Sequence, residues 1–518
     1  MKFFYKFKLI NLTKGVYLKY LYFFIVILFL SIRLIGIKGD IVNTDAERWH
    51  RRSENFLEAL KQNNFKETYQ RYHPGVTLMW FNSIIKYLSF KYQLTYTSTP
   101  FTLENADYFI NIHAISKAFN ILIYLALFLV TLGLIRKLFN DKVTLIYGTL
   151  LSIEPYFVAI NRWFHQTSFE VFFAFISFLA ILVWYKETRY RYIILSSFAL
   201  AFSVLAKVTS LILLPVLGFV FLHKIYTLYF CEPFNKSDVI KSIKFIMLQG
   251  FSFIFLLALF IFIFFPALWV DSLFVWNQMY GSIFNAVTDN IRSELITGLT
   301  YYLYYFVIFV FKLSPITFTT LVFALLKFRK SNNFNILMLI LGIFNYFIFL
   351  TITEQKIDRY FLIFIPFVVL ICSVYLSELS LSYLFNIFIF IILFTGFYLY
   401  KYYPVYSAYY SPLFGGTYNA LAVGVYDNSG EYFTQAALYL NTLGRDKYTY
   451  VPNGFSSFNL LYKGNIQRDF TDETNYVVTS FDMTRSTIKD IQYENCNKLL
   501  KEFGPNNDIS IVYVWECN

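Results

Sequence analysis

Long apolar runs separated by short polar intervals fill the chain from near its start to about Tyr400. An apolar run of about 18 residues or more is long enough to cross a bilayer as a helix, and the repetition excludes a single buried core helix. Taken as helices, the runs predict about eleven spans, near residues 16–37, 110–135, 142–160, 167–185, 191–206, 208–226, 244–265, 301–326, 334–352, 360–378 and 382–400. Some of the polar intervals have a pattern of their own. Between Ala46 and Leu60, the residues Trp49, Phe56, Leu57 and Leu60 recur at helical spacing among charges, which predicts an amphipathic helix lying along the membrane surface. His73-Pro74-Gly75 breaks the chain, and the VTLMWFNSIIKYL that follows reads as a segment dipping back toward the membrane. A second surface helix is expected around Phe274 to Ala286.

From Lys401 the apolar runs shorten, and Gly, Asn and Asp become frequent. Strands are expected over 420–426, 448–451, 475–480 and 509–515, and helices over 432–443 and 487–503, which together make a small α/β layer. The division is therefore a membrane domain over 1–400, with a first outer loop at 38–107, and a soluble extracytoplasmic domain over 401–518.

Composition agrees with the pattern. Hydrophobic residues make up 57% of the chain, with 63 Phe and 44 Tyr, outside the range of soluble globular proteins. The net charge of +12 does not mark a nucleic-acid partner, because the Lys and Arg are scattered over short intervals between alternate spans. Lys2, Lys6, Lys8, Lys14 and Lys19 share one side with Arg136, Lys137 and Lys142, with Lys186, Arg189 and Arg191, with Lys224, Lys236, Lys241 and Lys244, and with Lys327, Arg329 and Lys330. That side is the cytoplasm by the positive-inside rule, and the protein is expected in the cytoplasmic membrane. The first run is too long for a signal peptide and has no small-residue cleavage site, so it reads as a retained span. The outer face then receives the first loop, the turn around Arg162 and His165, Lys207, the segment up to Arg359, and the C-terminal region. Of the four cysteines, Cys231 and Cys372 lie in or beside apolar segments. Cys496 and Cys517 can pair if the tail is outside the cell; two free thiols are the alternative.

Only 15% of residues are charged, yet Gly39 to Trp80 holds Asp40, Asp45, Glu47, Arg48, His50, Arg51, Arg52, Glu54, Glu58 and His73. Asp45 and Glu47 closely follow the first span and precede the surface helix. A carboxylate there can take a proton from a hydroxyl nucleophile, or hold a divalent cation such as Mg²⁺ or Mn²⁺. Solvated acids at a helix N-terminus are the plainer alternative. The cation reading has only this one Asp and one Glu as ligands. Further along, Arg162 and His165 sit in EPYFVAINRWFHQTSFE, Lys207 in LAKVTSLILLP, and Lys356, Asp358 and Arg359 in EQKIDRYFLIFIP. A charge within a span costs roughly 2.5–3.5 kcal/mol at its centre, so each needs a partner or a purpose, and a phosphate serves as either. Lys207 has no acid beside it in sequence, and the alternative to a phosphate site there is a snorkelling lysine. For Arg359, an ion pair with Asp358 competes; for His73, a turn or packing role does. No Gly-rich phosphate loop or dinucleotide fingerprint occurs, which favours a lipid-linked over a nucleotide-linked substrate.

TDAERWHRRSENFLEAL at 44–60, YHPGVTLMW at 72–80, FFPALWVDS at 264–272, KIDRYFLIFIP at 356–366 and YSAYYSPLFGG at 406–416, in that order, resemble the bacterial branch of glycosyltransferase family 39. That family is related to dolichyl-phosphate-mannose protein mannosyltransferases and lipid A aminoarabinose transferases. The resemblance implies the C-type membrane glycosyltransferase fold and transfer, with inversion at the outer face, of a mannose-like or related hexose from a polyprenyl-phosphate carrier. The acceptor is a hydroxyl on protein, lipid or glycan. Asp45 occupies the position of the family's general base. The adjacent Asp-Glu common in the family is Asp45-Ala46-Glu47 here, and where relatives often carry an Asp after Arg-x-x-His, this chain has Gln166-Thr167. The rival readings are a lipid or solute transporter or flippase without glycosyl transfer, and an inactive assembly partner.

Overall fold

The computed structural model describes residues 14–40, 42–71, 73–96, 106–230, 236–288, 299–328, 333–353, 356–444, 447–452, 456–481, 496–506 and 508–517. Lys2, Lys6, Lys8, Cys231, Arg329, Lys330 and the start of the helix expected over 487–503 lie outside them.

The apolar runs form helices. In chain order they are α1 (Lys14–Leu34), the surface helix α2 (Ala46–Lys61), α3 (Val76–Tyr96), α4 (Ala106–Leu138), α5 (Asp141–Ile153), α6 (Pro155–Asn161), α7 (Thr167–Glu187) and α8 (Tyr190–Ala206). They continue with α9 (Leu214–Phe230), α10 (Lys236–Phe264), α11 (Ala267–Thr288), α12 (Tyr304–Lys312), α13 (Pro315–Phe328), α14 (Phe334–Ile352), α15 (Phe364–Ser377) and α16 (Leu381–Tyr402). Among the described residues, seven helices are long and apolar enough to span a membrane, and the number reaches ten when each of three bent pairs counts as one span. Tyr190–Ala206, shorter than these, corresponds to the remaining expected run. Two expected spans are broken rather than straight: α5 and α6 meet at 67° and α12 and α13 at 114°. Both breaks precede a proline, Pro155 and Pro315, which lacks the N–H needed to continue a helix. Glu154 joins them, because its buried carboxylate accepts from the Ser314 N–H at 2.7 Å, the Ser314 hydroxyl at 2.8 Å and the Thr317 hydroxyl at 2.6 Å.

The apolar stretch of α7 is buried throughout and forms the centre of the bundle, packed by α8 and α4. Phe251, Phe255, Leu326 and Leu393 point outward, where hydrocarbon rather than water suits them.

After α16 the chain turns back through Tyr406–Phe414, and Tyr409 and Tyr410 are fully buried. A helix, α17 (Phe433–Leu443), then packs on a five-stranded sheet of β1 (Tyr448–Tyr450), β2 (Asn465–Gln467), β3 (Tyr476–Ser480), β4 (Lys498–Phe503) and β5 (Val512–Glu516), in the order β2-β1-β3-β5-β4. β1 runs parallel to β2 and β3, whereas β5 is antiparallel to β3 and β4. Two expectations fail here. The stretch 420–426 is not a strand, because Gly416–Ala422 is helical and Gly424, at φ 79°, turns the chain. Residues 498–503, expected to be helical, pair instead with β5, a tertiary partner that local propensity does not register. Cys496 and Cys517 form a disulfide beside this β4–β5 pair.

Candidate active site

The loop leaving α1 is held from two sides. Buried Asp40 receives Lys117 Nζ at 3.1 Å and Arg162 Nε at 2.8 Å. Above it, the Val42 N–H donates to Thr434 Oγ1 at 3.1 Å and the Thr44 N–H to the Ser429 carbonyl at 3.2 Å, so the C-terminal region fixes the backbone just before Asp45. Asp45 occupies the N-cap position of α2, but its side chain makes no capping hydrogen bond. The carboxylate points instead into a cavity of about 170 Å³.

That cavity is lined by Asp45, Arg48, Trp49 and Arg52 of the first loop and α2, and by Arg71 and His73 before α3. The α6–α7 turn adds His165 and Gln166, Lys207 lies just beyond α8, and Ile357, Arg359 and Tyr360 lead into α15. Arg359 Nη2 stands 3.0 Å from Asp45 Oδ2, His165 Nε2 stands 3.6 Å from the same oxygen, and Arg48 stands 3.7 Å from Oδ1. The Thr167 N–H lies 3.2 Å from His165 Nδ1, and a backbone N–H can only donate. Nδ1 is therefore the acceptor, and the imidazole proton sits on Nε2, facing Asp45. Gly75 explains the His-Pro-Gly break: its φ is +61°, and a Cβ there would lie 2.1 Å from the Trp49 ring. Its N–H donates to the Ala206 carbonyl at 3.2 Å, tying the His73 turn to the Lys207 break.

Burial alone would raise the Asp45 carboxyl, but Arg359, then His165 and Arg48, hold it well below the usual carboxylate range. Burial pushes the His165 imidazole down to about 4, with Arg359 and Lys207 adding to the effect and Asp45 opposing it. His73 is likewise lowered, by burial first and then by Lys207 and Arg359. At neutral pH the site thus holds one carboxylate, two neutral imidazoles and several cations.

The structure brings Asp45, His73, His165, Lys207 and Arg359 together. Three other sequence candidates are engaged elsewhere. Arg162 donates to Asp40 and, through Nη1, to the carbonyls of Ile32 at 2.9 Å and Ile35 at 2.8 Å, closing the end of α1. Lys356 Nζ caps the end of α14 through the carbonyls of Thr351 and Thr353, both at 2.7 Å. Glu47 pairs with Arg51 along α2 and does not line the cavity. Lys207, which lacks an acid in its sequence neighbourhood, has one in space: Glu170 at 3.7 Å, itself bound by the Thr209 hydroxyl. The Lys207 ammonium also lies 3.3 Å from the Tyr360 ring centroid. Arg359 faces Asp45, while Asp358 takes Lys312 at 3.3 Å. Sequence reasoning passed over Glu170, although an acid in the first turn of a buried apolar helix is itself a signal.

A divalent cation fits this donor set poorly. Among the described residues no three His, Cys, Asp or Glu side chains converge, and Asp45 is surrounded by cations and an imidazole N–H.

No protein-family model matches the sequence, and no curated protein matches it. Among solved structures the chain is similar to ArnT from Cupriavidus metallidurans bound to undecaprenyl phosphate, at 13% identity and a TM-score of 0.50, over 95% of this chain and 97% of that one. It is also similar to apo ArnT from the same organism, at 13% identity and a TM-score of 0.47 over 96% and 97% of the two chains. A further likeness is to the oligosaccharyltransferase AglB from Archaeoglobus fulgidus in complex with an inhibitory peptide and a dolichol-phosphate, at 12% identity and a TM-score of 0.47 over 91% and 70%. The likeness to lipid-bound ArnT, spanning nearly the whole of both chains, shows the fold alone: a polytopic helical membrane protein with the C-type fold and a small C-terminal sheet.

Proposed function

We propose that the chain is a membrane glycosyltransferase that moves a hexose from a polyprenyl-phosphate carrier to a hydroxyl acceptor at the outer face of the cytoplasmic membrane. The observation that carries the reading is the cavity itself, with one carboxylate set against Arg359 and Lys207 beside α2. A fold alone does not fix chemistry; the side chains of the cavity carry it.

Asp45 is the general base. The acceptor hydroxyl gives its proton to Asp45 as its oxygen bonds to the anomeric carbon. The bond from that carbon to the phosphate oxygen breaks on the opposite face, and the phosphate leaves with the electron pair, so the configuration inverts. Arg359 and Lys207 stabilise the charge growing on the departing phosphate, worth about 3–4 kcal/mol for a well-placed donor in a water-poor site. His73 and His165, neutral at pH 7, line the site without adding to its charge. Arg162 and Lys356 support the site from outside it, by holding the end of α1 and the end of α14.

The same reading divides the chain at Lys401 into a membrane domain and an extracytoplasmic domain. The Cys496–Cys517 disulfide supports that placement, because such bonds persist in oxidising compartments. The lipid-bound ArnT of the same fold supports the donor class. The test is product stereochemistry: with an anomerically defined polyprenyl-phosphate hexose, the product's anomeric configuration, read by NMR, is inverted. Retained configuration contradicts the assignment.

A further inference from the structure

Both cations offered to a donor phosphate are already held by acids, Arg359 by Asp45 at 3.0 Å and Lys207 by Glu170 at 3.7 Å. The two pairs are not equivalent. Glu170 is buried in α7 and keeps the Thr209 hydroxyl whatever Lys207 does. Among the described residues, Asp45 has Arg359 at hydrogen-bond distance through one nitrogen, with Arg48 at 3.7 Å, on a largely exposed side chain, and His165 at 3.6 Å beyond it. A carboxylate covered by a guanidinium is a poor proton acceptor, yet Asp45 is the one acid on the cavity wall placed to act as base.

We propose that Arg359 is a shared partner: the donor's phosphate draws it off Asp45, so the base is uncovered only once the donor is in place. This rests on the glycosyltransferase reading above. The exchange orders the reaction, with donor before acceptor activation, and gives Arg359 two roles, cover of the base in the empty site and clamp of the phosphate in the loaded one. It needs no new cation, only rotation of a long side chain whose residue is the second of the turn before α15. The groups facing Asp45 are Arg48 from α2, His165 from the α6–α7 turn and Arg359, and the cavity wall also carries Arg52, Arg71, His73 and Lys207. Once Arg359 leaves, the carboxylate loses its main cationic partner, and His165 is left beside a less compensated negative charge. Both changes favour binding a proton.

The experiment is proton-linked calorimetry on the full chain in nanodiscs. The ligand is undecaprenyl methyl phosphate, a phosphodiester with no second ionisation, titrated in at pH 5 in buffers of different ionisation enthalpy. Wild type takes up a proton fraction on binding, up to about one per lipid. Asp45→Asn binds the lipid and takes up none, and Asp45→Ala repeats the comparison with the carboxyl removed. Undecaprenol, which carries no charge, produces no uptake. Lipid binding with the same proton uptake in wild type and both variants overturns the exchange while leaving the donor site intact. Failure of the wild type to bind the phosphodiester overturns the donor reading on which the exchange rests.

Discussion

Asp45 starts α2 without capping it, which leaves its carboxylate free to face the cavity, and Gly75 lets the His73 turn close against Trp49. Replacing Gly75 by Ala puts a methyl group into the Trp49 ring at a positive φ. Gly75→Ala is expected to destabilise the protein by about 1–3 kcal/mol, seen in thermal unfolding, and to reduce sugar transfer, because the turn carries His73 and is tied to Lys207. At this scale the sequence revealed residue types better than partners. Asp45, His73, His165, Lys207 and Arg359 stood out as ionisable groups at a membrane surface, and they meet in one cavity. Arg162 and Lys356 carry the same signature but spend their donors on Asp40 and on helix-end carbonyls. Nothing local distinguishes a cation that awaits a ligand from one that closes a helix. The sequence does not pair Lys207 with Glu170, because the two are 37 positions apart and meet only when α7 packs against α8.

Among the elements, apolar periodicity located the spans, the helices at 46–60 and 274–286, and the strands at 448–451, 475–480 and 509–515. It did not show that two spans break, because a proline inside an apolar run marks a possible kink without giving its angle. The breaks are held by Glu154, whose three acceptor bonds span both. Glu154→Ala leaves the Ser314 N–H and two hydroxyls without their acceptor in a buried site and should cost roughly 1–3 kcal/mol for each group left unpaired. Glu154→Gln, which keeps one acceptor oxygen, should cost clearly less, as denaturation in detergent would show. The misread stretches, 420–426 and 498–503, are those where a glycine turn or a distant strand decided the outcome.

At the scale of the whole molecule, the C-terminal region is joined to the site rather than hung beside it. Ser429 and Thr434 hold the loop before Asp45, and buried Glu431 accepts from the Ser429 N–H at 2.6 Å. Burial, reinforced by Asp427, pushes the Glu431 carboxyl up to about 7 from an ordinary 4.5. An acid raised in the folded state binds its proton more tightly there than when unfolded, so stability falls as pH rises from about 4.5 to about 7, with the full cost above that window. Glu431→Gln should flatten this slope and gain up to roughly 3 kcal/mol at pH 8, read as thermal stability against pH. The disulfide closes a segment with a sequence separation of 21 residues, and removing it by Cys496→Ser should cost about 3 kcal/mol.

Asp45 is proposed as the base of a sugar transfer from a polyprenyl phosphate. The most direct measurement incubates purified wild type and Asp45→Asn in nanodiscs with a panel of radiolabelled polyprenyl-phosphate hexoses and a membrane extract as acceptor, and follows label leaving the carrier. Transfer by wild type from at least one donor is expected, with a rate about 10²–10⁴ lower in Asp45→Asn at matched lipid occupancy. Transfer by Asp45→Asn at the wild-type rate would contradict it.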